Sequence, residues 1–311
     1  MSAIKTMVDS FGRSREDNRN RQEINEKANE EARANWDNPQ WRRDFAANLT
    51  QSILLGFDYE TLVDRIITTE RTDFNGRIFV RESTGLKAYY MARGGYIEAS
   101  ELTSSVTEVP RDMLGIHVWE FEDKLMTNFA ESIQTLRDLA VQRMDSEVNR
   151  RVTTVISEAI PDGSPYYEDS AGIDQDILNA AIREVRDATN GAEVVVFGRS
   201  TVTDQITDFT GFGNETLEEI RRKGVLGVYR GASIVSFKNF KDEEGNNFIP
   251  ANELWVVAKD FGKFAFYGGL MSKEYQENDN WYWHYIARRD TGVLVHHPER
   301  IRRLVDTSTT P

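Results

Sequence analysis

The stretch from Lys124 to Ile160 constrains the fold of this chain more than any other. It contains no glycine or proline and stops before Pro161. With a rise of about 1.5 Å per residue, a helix of this length would be roughly 50 Å long. Apolar residues recur along it at steps of three or four, which is typical of a helix with one buried stripe; they are Leu125, Phe129, Ile133, Leu136, Ala140, Met144, Val148, Val152, Val155 and Ala159. The sequence therefore predicts a spine helix over residues 124–160.

The spacing of this stripe predicts how the spine helix packs. The steps are mostly of four residues, so at roughly 100° per residue the apolar line turns by about 160° between Leu125 and Ala159. One straight partner helix cannot cover such a line. The pattern is compatible with a long core helix of an ordinary enzyme, or with a helix that touches different elements at its two ends.

The composition excludes several classes of function. The 311 residues carry a formal net charge of -13 and include no cysteine. Without cysteine the chain cannot form disulfides, thiolate nucleophiles or zinc–thiolate sites. The acidic balance argues against broad contact with phosphate groups, because nucleic-acid affinity comes mostly from Lys and Arg. A chain of 311 residues allows two domains, or one domain with extensions.

The sequence contains no secretory hydrophobic segment and no apolar run of about 18 residues. We therefore expect a soluble chain that is made in the cytoplasm and does not enter a membrane. Because disulfides are excluded, its stability must come from packing or from assembly with other chains.

Residues 1–45 are expected to form an N-terminal arm. They are polar and mix both charge signs, as in Glu23–Arg33, and they lack an apolar stripe. Such a segment cannot bury enough surface to fold alone, so it is either a disordered tail or a segment that orders by lying across another subunit. Residues 46–70 are expected to anchor the arm, with a helix over Trp41–Tyr59 and a strand over Leu62–Thr69.

Residues 71–109 are expected to form a long hairpin with little to bury. Arg77–Val80 and Leu86–Met91 are predicted to be strands, with a turn at Ser83-Thr84-Gly85 between them. The apolar positions are too few for a core, and the stretch that ends at Val109 is rich in Ser and Thr. A hairpin of this kind is rarely stable in isolation. It is either a mobile lid over a catalytic site or an element that a neighbouring chain covers, and the lack of a recognisable catalytic motif favours the neighbour.

The rest of the chain predicts an α+β arrangement around the spine. Met113–Phe121 alternates as a half-buried strand that leads into the spine. Residues 173–268 mix helices and strands and predict a compact unit with its own core, whereas the aromatic segment after Met271 predicts strands that return to pair beside the spine. The predicted helices are Ile173–Thr189, Thr201–Phe209 and Glu215–Lys223, the predicted strands are Ala192–Phe197, Gly227–Tyr229, Ala232–Phe237, Leu254–Ala258, Phe264–Tyr267, Trp281–Ile286, Val293–His296 and Ile301–Val305, and a turn is predicted over Asp242–Asn247.

The four histidines, His117, His284, His296 and His297, do not predict a metal site. His296 and His297 are adjacent, and on a strand they would point to opposite faces and could not chelate one metal. We therefore expect scattered structural histidines. The sequence also contains no nucleophile elbow and no phosphate-binding loop.

Two partial motifs are too incomplete to predict a site. Gly211-Phe212-Gly213 has the first two glycines of a dinucleotide loop, but it follows a predicted helix and Thr216 occupies the third position. A calcium loop is matched loosely, but its turn glycine is missing, a proline interrupts it and strands flank it; the residues are Asp242, Glu244, Asn246 and Glu253. We expect no catalytic, cofactor-binding or metal-binding residue, and a chain that is not an enzyme.

The order of these elements resembles the major capsid proteins of tailed bacteriophages, which share the Hong Kong 97 fold. Both have a polar arm, a long under-buried hairpin, a strand into a long spine, a compact α+β unit and a return to the spine. The resemblance covers about residues 45–306 and lies in the order and lengths of the elements. The stretches that carry it are Tyr96–Glu101, Gly115-Ile116, Val194–Gly198, Gly231–Ser236 and Arg288–Val295 with Pro298.

The resemblance implies a Hong Kong 97-like subunit with three parts beyond the arm and its anchor. Residues 71–109 would be the extended loop that lies over the adjacent subunit. Residues 110–172 and 269–311 would be the peripheral domain with the spine, and residues 173–268 the axial domain, whose loops crowd the centres of hexamers and pentamers.

The implied function is that of the major capsid protein of a tailed double-stranded DNA bacteriophage, assembled in the host cytoplasm and located in the virion. The shell would enclose DNA without sequence-specific binding. Scaffolding, portal and decoration proteins would be further partners. The alternatives are an encapsulin-like nanocompartment shell of the same fold and, from another class, a hydrolase whose lid is the hairpin.

Some members of this family link chains covalently through a loop lysine and an asparagine of the peripheral domain. Lys87 lies in the predicted hairpin, and Asn278 and Asn280 lie near the expected peripheral region. No assisting acid is identifiable, so we expect these to be surface residues. Some members also begin with a scaffolding segment that a protease removes; the short charged arm favours a separate scaffold or an unprocessed arm.

Overall fold

The computed structural model describes residues 6–7, 18–60, 63–84, 103–189, 191–209, 227–237, 250–277 and 281–308. The helices within these ranges are α1 (Asn18–Asn35), α2 (Pro39–Glu60), α3 (Val63–Ile66), α4 (Glu122–Thr127), α5 (Phe129–Ala159), α6 (Gln175–Ala188) and α7 (Ser200–Thr203). The strands are β1 (Thr68–Thr72), β2 (Phe79–Thr84), β3 (Thr103–Glu108), β4 (Asp112–Phe121), β5 (Tyr167–Ser170), β6 (Val194–Arg199), β7 (Val228–Tyr229), β8 (Ala232–Phe237), β9 (Glu253–Ala258), β10 (Gly262–Glu277), β11 (Tyr282–Val295) and β12 (Ile301–Asp306). Short 3₁₀ turns cover Asp204–Asp208 and Pro298–Arg300.

The strands build two main sheets and one separate hairpin. The four-stranded sheet has the order β1-β10-β11-β4, and the six-stranded sheet has the order β5-β12-β9-β6-β8-β7. The strands β2 and β3 pair with each other as the hairpin. Both main sheets mix parallel and antiparallel neighbours, and helices pack against them. This architecture confirms the predicted α+β class.

The spine is two helices rather than one, because the backbone of Asn128 has φ -144° and ψ 68° and lies outside the helical region. The helix α1 satisfies the break. The side chain of Asn29 accepts a hydrogen bond from the N–H of Ala130 (2.8 Å), as an N-cap residue does. Arg33 donates to the last two carbonyls of α4, at 3.3 Å each. The prediction of an uninterrupted helix is therefore wrong at Asn128. Side chains of α1 form hydrogen bonds with the backbone groups that the break leaves without a partner in the spine.

Beyond this break the spine prediction is confirmed. The helix α5 is continuous over 31 residues, and its buried side chains include Ile133, Met144 and Val152. Its first turn contacts α1, whereas the carbonyl of Ile160 after its last turn accepts a hydrogen bond from Arg303 of β12 (3.3 Å). The spine thus touches different elements at its two ends. Neither the spine nor another helix in the described ranges is long and apolar enough to cross a membrane.

An aromatic cluster joins the helices to the four-stranded sheet. The ring of Trp36, which follows α1, lies 6.0 Å from that of Phe129 in α5 and 6.0 Å from that of Trp283 in β11. The ring of Phe45 in α2 lies 5.1 Å from that of Phe129. Edge-on and tilted ring contacts of this kind are favourable beyond the area that they bury. One face of the sheet is therefore covered by α1, α2 and α5.

The N-terminal region differs from the sequence prediction. The sequence predicted an arm that is disordered or that becomes ordered only on another subunit. The helix α1 packs on α4 and α5 of its own chain, and Ala28, Ala32 and Trp36 are buried. Small alanine side chains allow close approach to the spine, and Asn29 and Arg33 add the hydrogen bonds described above. A stripe of large apolar residues is therefore not needed for α1 to dock.

The six-stranded sheet draws on more of the chain than residues 173–268. The strands β6, β8 and β9 come from that segment and share a core with α6, as expected. However, β5 and β12 come from segments assigned to the peripheral domain, and both pair in this sheet. Arg303 of β12 forms an ion pair with Glu253 of β9, which joins the two strands, and a second ion pair with Asp162, which follows the spine. The first half of β10 was expected in the axial domain, but it pairs in the four-stranded sheet. The two sheets therefore do not follow the expected domain boundaries.

Several element boundaries also differ from the predictions. The helix over Trp41–Tyr59 is confirmed by α2, but the first half of the strand predicted over Leu62–Thr69 is the helical turn α3, whose Val63 and Ile66 are buried on one face. The strand β10 continues through Gly268, where a φ of 70° and a register shift mark a bulge. The helix predicted over Thr201–Phe209 is α7 followed by a 3₁₀ turn. The predicted helix at 215–223 and turn at 242–247 lie outside the described residues.

Replacing Leu136 with proline tests the spine. Leu136 lies within α5 and packs against the main core. Proline removes a helical hydrogen bond and clashes with the preceding turn, so we expect Leu136→Pro to lower the free energy of unfolding by about 3 kcal/mol or more. The matched control Leu136→Ala keeps the helix and should cost only about 1 to 2 kcal/mol, since Leu136 is partly buried. Urea unfolding measures both, and wild-type stability of Leu136→Pro would contradict the helix.

Tyr285 gives a pH test of the same core. Its hydroxyl lies 2.8 Å from the hydroxyl of Thr50, and burial raises the pKa of Tyr285 to about 12 against the opposing effect of this hydrogen bond. Tyrosine in an unfolded chain ionises near pH 10, so this stabilisation is present below about pH 10 and lost as the pH rises toward 12. We expect the wild type to lose about 2 kcal/mol more than Tyr285→Phe across this range. Urea unfolding at several pH values measures this difference, and equal losses would contradict the assignment.

Candidate assembly surfaces

The hairpin of β2 and β3 projects a partly apolar face into solvent. The two strands pair from Phe79 opposite Glu108 to Thr84 opposite Thr103, and every residue of β3 is exposed. On one face, Phe79 is 40% exposed and Val106 is 55% exposed. The predicted turn at residues 83–85 is wrong, because Ser83 and Thr84 continue β2, whose partner begins at Thr103. The predicted strand over residues 86–91 lies outside the described residues.

The root of the hairpin is fixed to the four-stranded sheet. Ile78, Val80 and Val109 are buried against β10 in a small core, and the hydroxyl of Tyr267 donates to the carbonyl of Val109 (3.1 Å). Arg111 donates to the carbonyls of Phe74 (2.9 Å) and Gly76 (2.7 Å), and its guanidinium lies 4.1 Å from the centre of the Tyr267 ring. The lower end of the hairpin is therefore anchored, whereas every residue of β3, the part of the second strand that the structure describes, is exposed.

A groove runs between β4 and the spine. Among the described strands, β4 pairs with β11 along one side and forms an edge of the four-stranded sheet. The groove has a volume of about 730 Å³ and is lined by residues of β4, α4 and α5. Its apolar side chains include Ile116, Val118, Leu136 and Leu139, of which Leu139 is 51% exposed. Glu120, Lys124, Glu131 and Arg143 add charge of both signs.

The face of the four-stranded sheet opposite the helices is open and carries exposed aromatic side chains. Alternate residues of β4 point to this face, and Met113 and Trp119 are 66% and 59% exposed. The ring of Tyr282 in β11 lies 4.9 Å from that of Trp119 and 5.7 Å from that of Phe121. We call this surface the open face. Contiguous exposed apolar side chains of this kind are typical of interaction surfaces.

The open face also brings two histidines together, which the sequence analysis did not predict. The Nε2 atom of His117 in β4 lies 3.1 Å from the Nδ1 atom of His284 in β11. The signal available in the sequence was their alternation with aromatic residues in two strands that pair, but the register of that pairing could not be read from it. In the described part of the chain, no group of three or more His, Cys, Asp or Glu residues is arranged to hold a metal ion.

The other two histidines differ from the predicted geometry. His296 and His297 follow the end of β11 instead of lying in a strand, and their ring centres are 4.5 Å apart rather than on opposite faces. Burial, with the neighbouring His297 as a second cause, lowers the pKa of His296. The Nδ1 atom of His297 is 2.8 Å from Glu299 Oε1. These contacts hold the junction between β11 and β12.

The remaining residues considered in the sequence do not form a described site. Glu253 is buried and paired with Arg303, so its role is structural. Its companions in the loose calcium pattern, the glycines of the dinucleotide-like segment and the residues considered for cross-linking lie outside the described residues; they are Asp242, Glu244, Asn246, Gly211, Gly213, Lys87, Asn278 and Asn280.

Comparison with known proteins gives matches in structure and none in sequence. No protein-family model matches the chain, and no curated protein matches it. The capsid structure of the cyanophage P-SCSP1u superposes with a TM-score of 0.54 at 13% identity, over 79% of this chain and 88% of that one. A structure from Mycobacterium phage Bobi gives a TM-score of 0.58 at 10% identity, over 79% and 90%. A virus-like particle from Pyrococcus furiosus gives 0.51 at 11% identity, over 83% and 98%.

The chain has the Hong Kong 97-type capsid fold. The resemblance stated from the sequence is confirmed at the level of the fold, and it extends over most of this chain and most of each matched chain. This capsid fold is one architecture that includes the projecting hairpin, the spine and the two sheets. At identities near 10%, the shared features are the order and packing of elements and not particular side chains.

Arg111 is predicted to control the position of the hairpin. Replacing it with alanine removes two hydrogen bonds to carbonyls and the contact with Tyr267. We expect Arg111→Ala to cost about 1 to 3 kcal/mol of local stability and to raise hydrogen exchange in β2 and β3. Arg77→Ala is the matched control, because Arg77 meets Glu108 in an exposed ion pair at 3.8 Å, which contributes little. Equal exchange in the two variants would contradict the anchoring role.

Proposed function

We propose that this chain is the major capsid protein of a tailed double-stranded DNA bacteriophage. Copies of the chain would form the hexamers and pentamers of an icosahedral shell that encloses the genome. The observation that carries the proposal is a capsid fold with a hairpin in which, among the described residues, a small root is buried and every residue of β3 is exposed. In such a shell the chain functions by assembling with copies of itself into a closed, symmetric structure, and not by turning over a substrate.

The two sheets suggest how the fold divides into capsid domains. The four-stranded sheet with α4 and α5 corresponds to the proposed peripheral domain with its spine, and the six-stranded sheet with α6 corresponds to the proposed axial domain. Because β5 and β12 pair in the six-stranded sheet, we propose that the axial unit would include them in addition to residues 173–268. The hairpin between residues 71 and 109 corresponds to the extended loop.

The hairpin is proposed to lie over the adjacent subunit. Two strands alone are marginally stable in water, and the exposed Phe79 and Val106 give the hairpin an apolar face that a second copy can cover. The groove beside β4 is a suitable acceptor, since an edge strand presents unpaired backbone groups and the groove adds apolar side chains. Its charges of both signs would help to fix the register of the contact.

The charge of the chain supports enclosure of DNA without tight binding. A formal net charge of -13 disfavours broad contact with phosphates, so the shell would not trap the genome that it surrounds. The proposed location is the virion, after assembly in the host cytoplasm. Scaffolding, portal and decoration proteins are proposed as further partners of the shell.

A second candidate is an encapsulin-like nanocompartment. The match to the virus-like particle from Pyrococcus furiosus, which covers 98% of that chain, favours this reading as well. The contents of purified particles separate the two candidates. Particles that package DNA in the presence of a portal and packaging machinery support the phage head, whereas particles that copurify with one protein and no DNA support the nanocompartment.

Shortening the hairpin tests the proposal. Replacing residues 83–104 with Asn-Gly joins Glu82 to Ser105, which are already paired, by a two-residue turn that suits a hairpin. The anchored root, including Ile78 and Val80, stays intact. We expect the free energy of unfolding to change by less than about 1 kcal/mol, whereas closed shells are no longer seen by sedimentation or electron microscopy. Normal shells from this variant would refute the proposed role of the hairpin.

A pair of point substitutions serves as a finer control. Val106 and Ser104 lie on the same face of β3 and are both exposed. Val106→Asp removes an apolar contact and adds a charge, whereas Ser104→Asp adds the same charge without that loss. Assembly should fall further with Val106→Asp, and equal effects would show that charge alone is responsible.

A further inference from the structure

The open face brings two imidazole nitrogens of neighbouring strands close together. The Nε2 atom of His117 in β4 lies 3.1 Å from the Nδ1 atom of His284 in β11. Imidazole nitrogens bind Zn²⁺ at about 2.0 to 2.1 Å, so two such ligands of one tetrahedral ion lie about 3.3 Å apart. The separation of the two nitrogens is therefore within about 0.2 Å of the value that a single Zn²⁺ ion requires.

One ring of the pair is held in place and the other is free to adjust. The ring of His284 stacks on Tyr275 of β10, with the centres 4.5 Å apart and the planes at 4°, and its side chain is only 13% exposed. His117 is exposed, and the centre of its ring lies 5.4 Å from that of His284. The two nitrogens thus face each other nearly head-on, and the exposed His117 ring has to turn for both lone pairs to point at one ion. His284 is the preorganised ligand, and His117 is the ligand that solvent reaches.

Glu277 supplies a contact that is common around metal-binding histidines. One of its carboxylate oxygens lies 3.5 Å from Nε2 of His284, the ring nitrogen that does not face His117. Metal-binding histidines almost always donate their other N–H to a carboxylate, a carbonyl or water, which fixes the tautomer and raises the basicity of the ligand. Within the described residues this Nε2 atom is buried without a hydrogen bond, so Glu277 is the group placed to accept its hydrogen. A hydrogen on Nε2 leaves the lone pair of Nδ1 for the ion.

Binding of an ion requires a change of tautomer and no loss of a proton. Without an ion, Nε2 of His117 donates its hydrogen to Nδ1 of His284. With an ion, the hydrogen of His117 is carried on the Nδ1 atom of the same ring, and Nε2 offers its lone pair. The ion then takes the place of the shared hydrogen between the two strands.

The ligand set favours a late first-row transition metal. Imidazole suits Zn²⁺, Cu²⁺ and Ni²⁺, whereas Ca²⁺ and Mg²⁺ prefer oxygen ligands. In the described ranges no group of three or more His, Cys, Asp or Glu residues is arranged to hold a metal ion, so water would fill the remaining positions. The ammonium of Lys273, which lies 5.8 Å from the centre of the Tyr275 ring, adds a positive charge that Glu277 offsets. We therefore expect weaker binding than at a structural zinc site with four protein ligands.

We propose that His117 and His284 form a binding site for a single Zn²⁺ ion or a related transition-metal ion, which joins the edge strand β4 to β11. The ion would stabilise the strand that borders the groove and leads into the spine. This inference concerns the isolated subunit, so it stands or falls independently of the proposed shell.

Calorimetric titration of the full chain, without a histidine tag, with ZnCl₂ at about pH 7.5 tests the site, because histidine is mostly neutral there. The tightest binding event in the wild type should take up one Zn²⁺ per chain. His117→Ala and His284→Ala each remove one of the two protein ligands and should each weaken this event by about tenfold or more. Glu277→Gln keeps the size of the side chain but not its charge and should weaken it by about tenfold. MgCl₂ should not compete for the site.

A variant with both His296→Ala and His297→Ala is the matched control, because it removes the other pair of neighbouring histidine rings. It should bind Zn²⁺ as the wild type does. Hydrogen exchange gives a second readout: Zn²⁺ should slow exchange in peptides that cover residues 112–121 several-fold in the wild type and in this control, but not in His117→Ala. Circular dichroism confirms that each variant is folded, and sedimentation confirms that all samples are in the same assembly state.

Three results would overturn the proposal. The first is the absence of Zn²⁺ binding to the wild type. The second is equal affinity in the wild type, His117→Ala and His284→Ala, which would mean that other side chains bind the ion. The third is loss of binding in the control variant alone, which would place the ion at His296 and His297.

Discussion

The packing of Trp36, Phe129 and Trp283 is the contact on which most of this structure depends. These rings come from the residue that follows α1, the start of α5 and the start of β11, and the ring of Trp36 lies 6.0 Å from each of the other two. The same junction lies beside the break at Asn128, which α1 satisfies with its own side chains. A polar N-terminal segment is thus held in the subunit by one aromatic anchor and a few directed hydrogen bonds.

The unequal distribution of burial follows from this arrangement. The helices cover one face of the four-stranded sheet and leave its other face, the edge strand β4 and most of the β2–β3 hairpin exposed. Disulfides cannot stabilise these parts, because the chain has no cysteine. A chain with well-packed hydrophobic cores and an exposed apolar hairpin gains stability when neighbouring copies bury each other's exposed apolar surface. This is the physical basis for the proposed shell.

The sequence was informative where periodicity and composition decide the structure. The stripe from Leu125 to Ala159 predicted the spine, and the low apolar content between residues 71 and 109 predicted the exposure that the structure shows along Thr103–Glu108, although the turn predicted at residues 83–85 is wrong. The break at Asn128 was not predictable, because the bonds that compensate it come from a helix about 100 residues away in sequence. The histidine pair was missed for a related reason: it depends on the register between β4 and β11, which a single sequence does not specify.

Cryo-electron microscopy of the purified wild-type chain tests the central claim most directly. The account predicts closed, uniform shells in which the β2–β3 hairpin of each copy lies on an adjacent copy and buries Phe79 and Val106 there. A dispersed, compact monomer at high concentration, with residues 71–109 folded back on its own body, would contradict it.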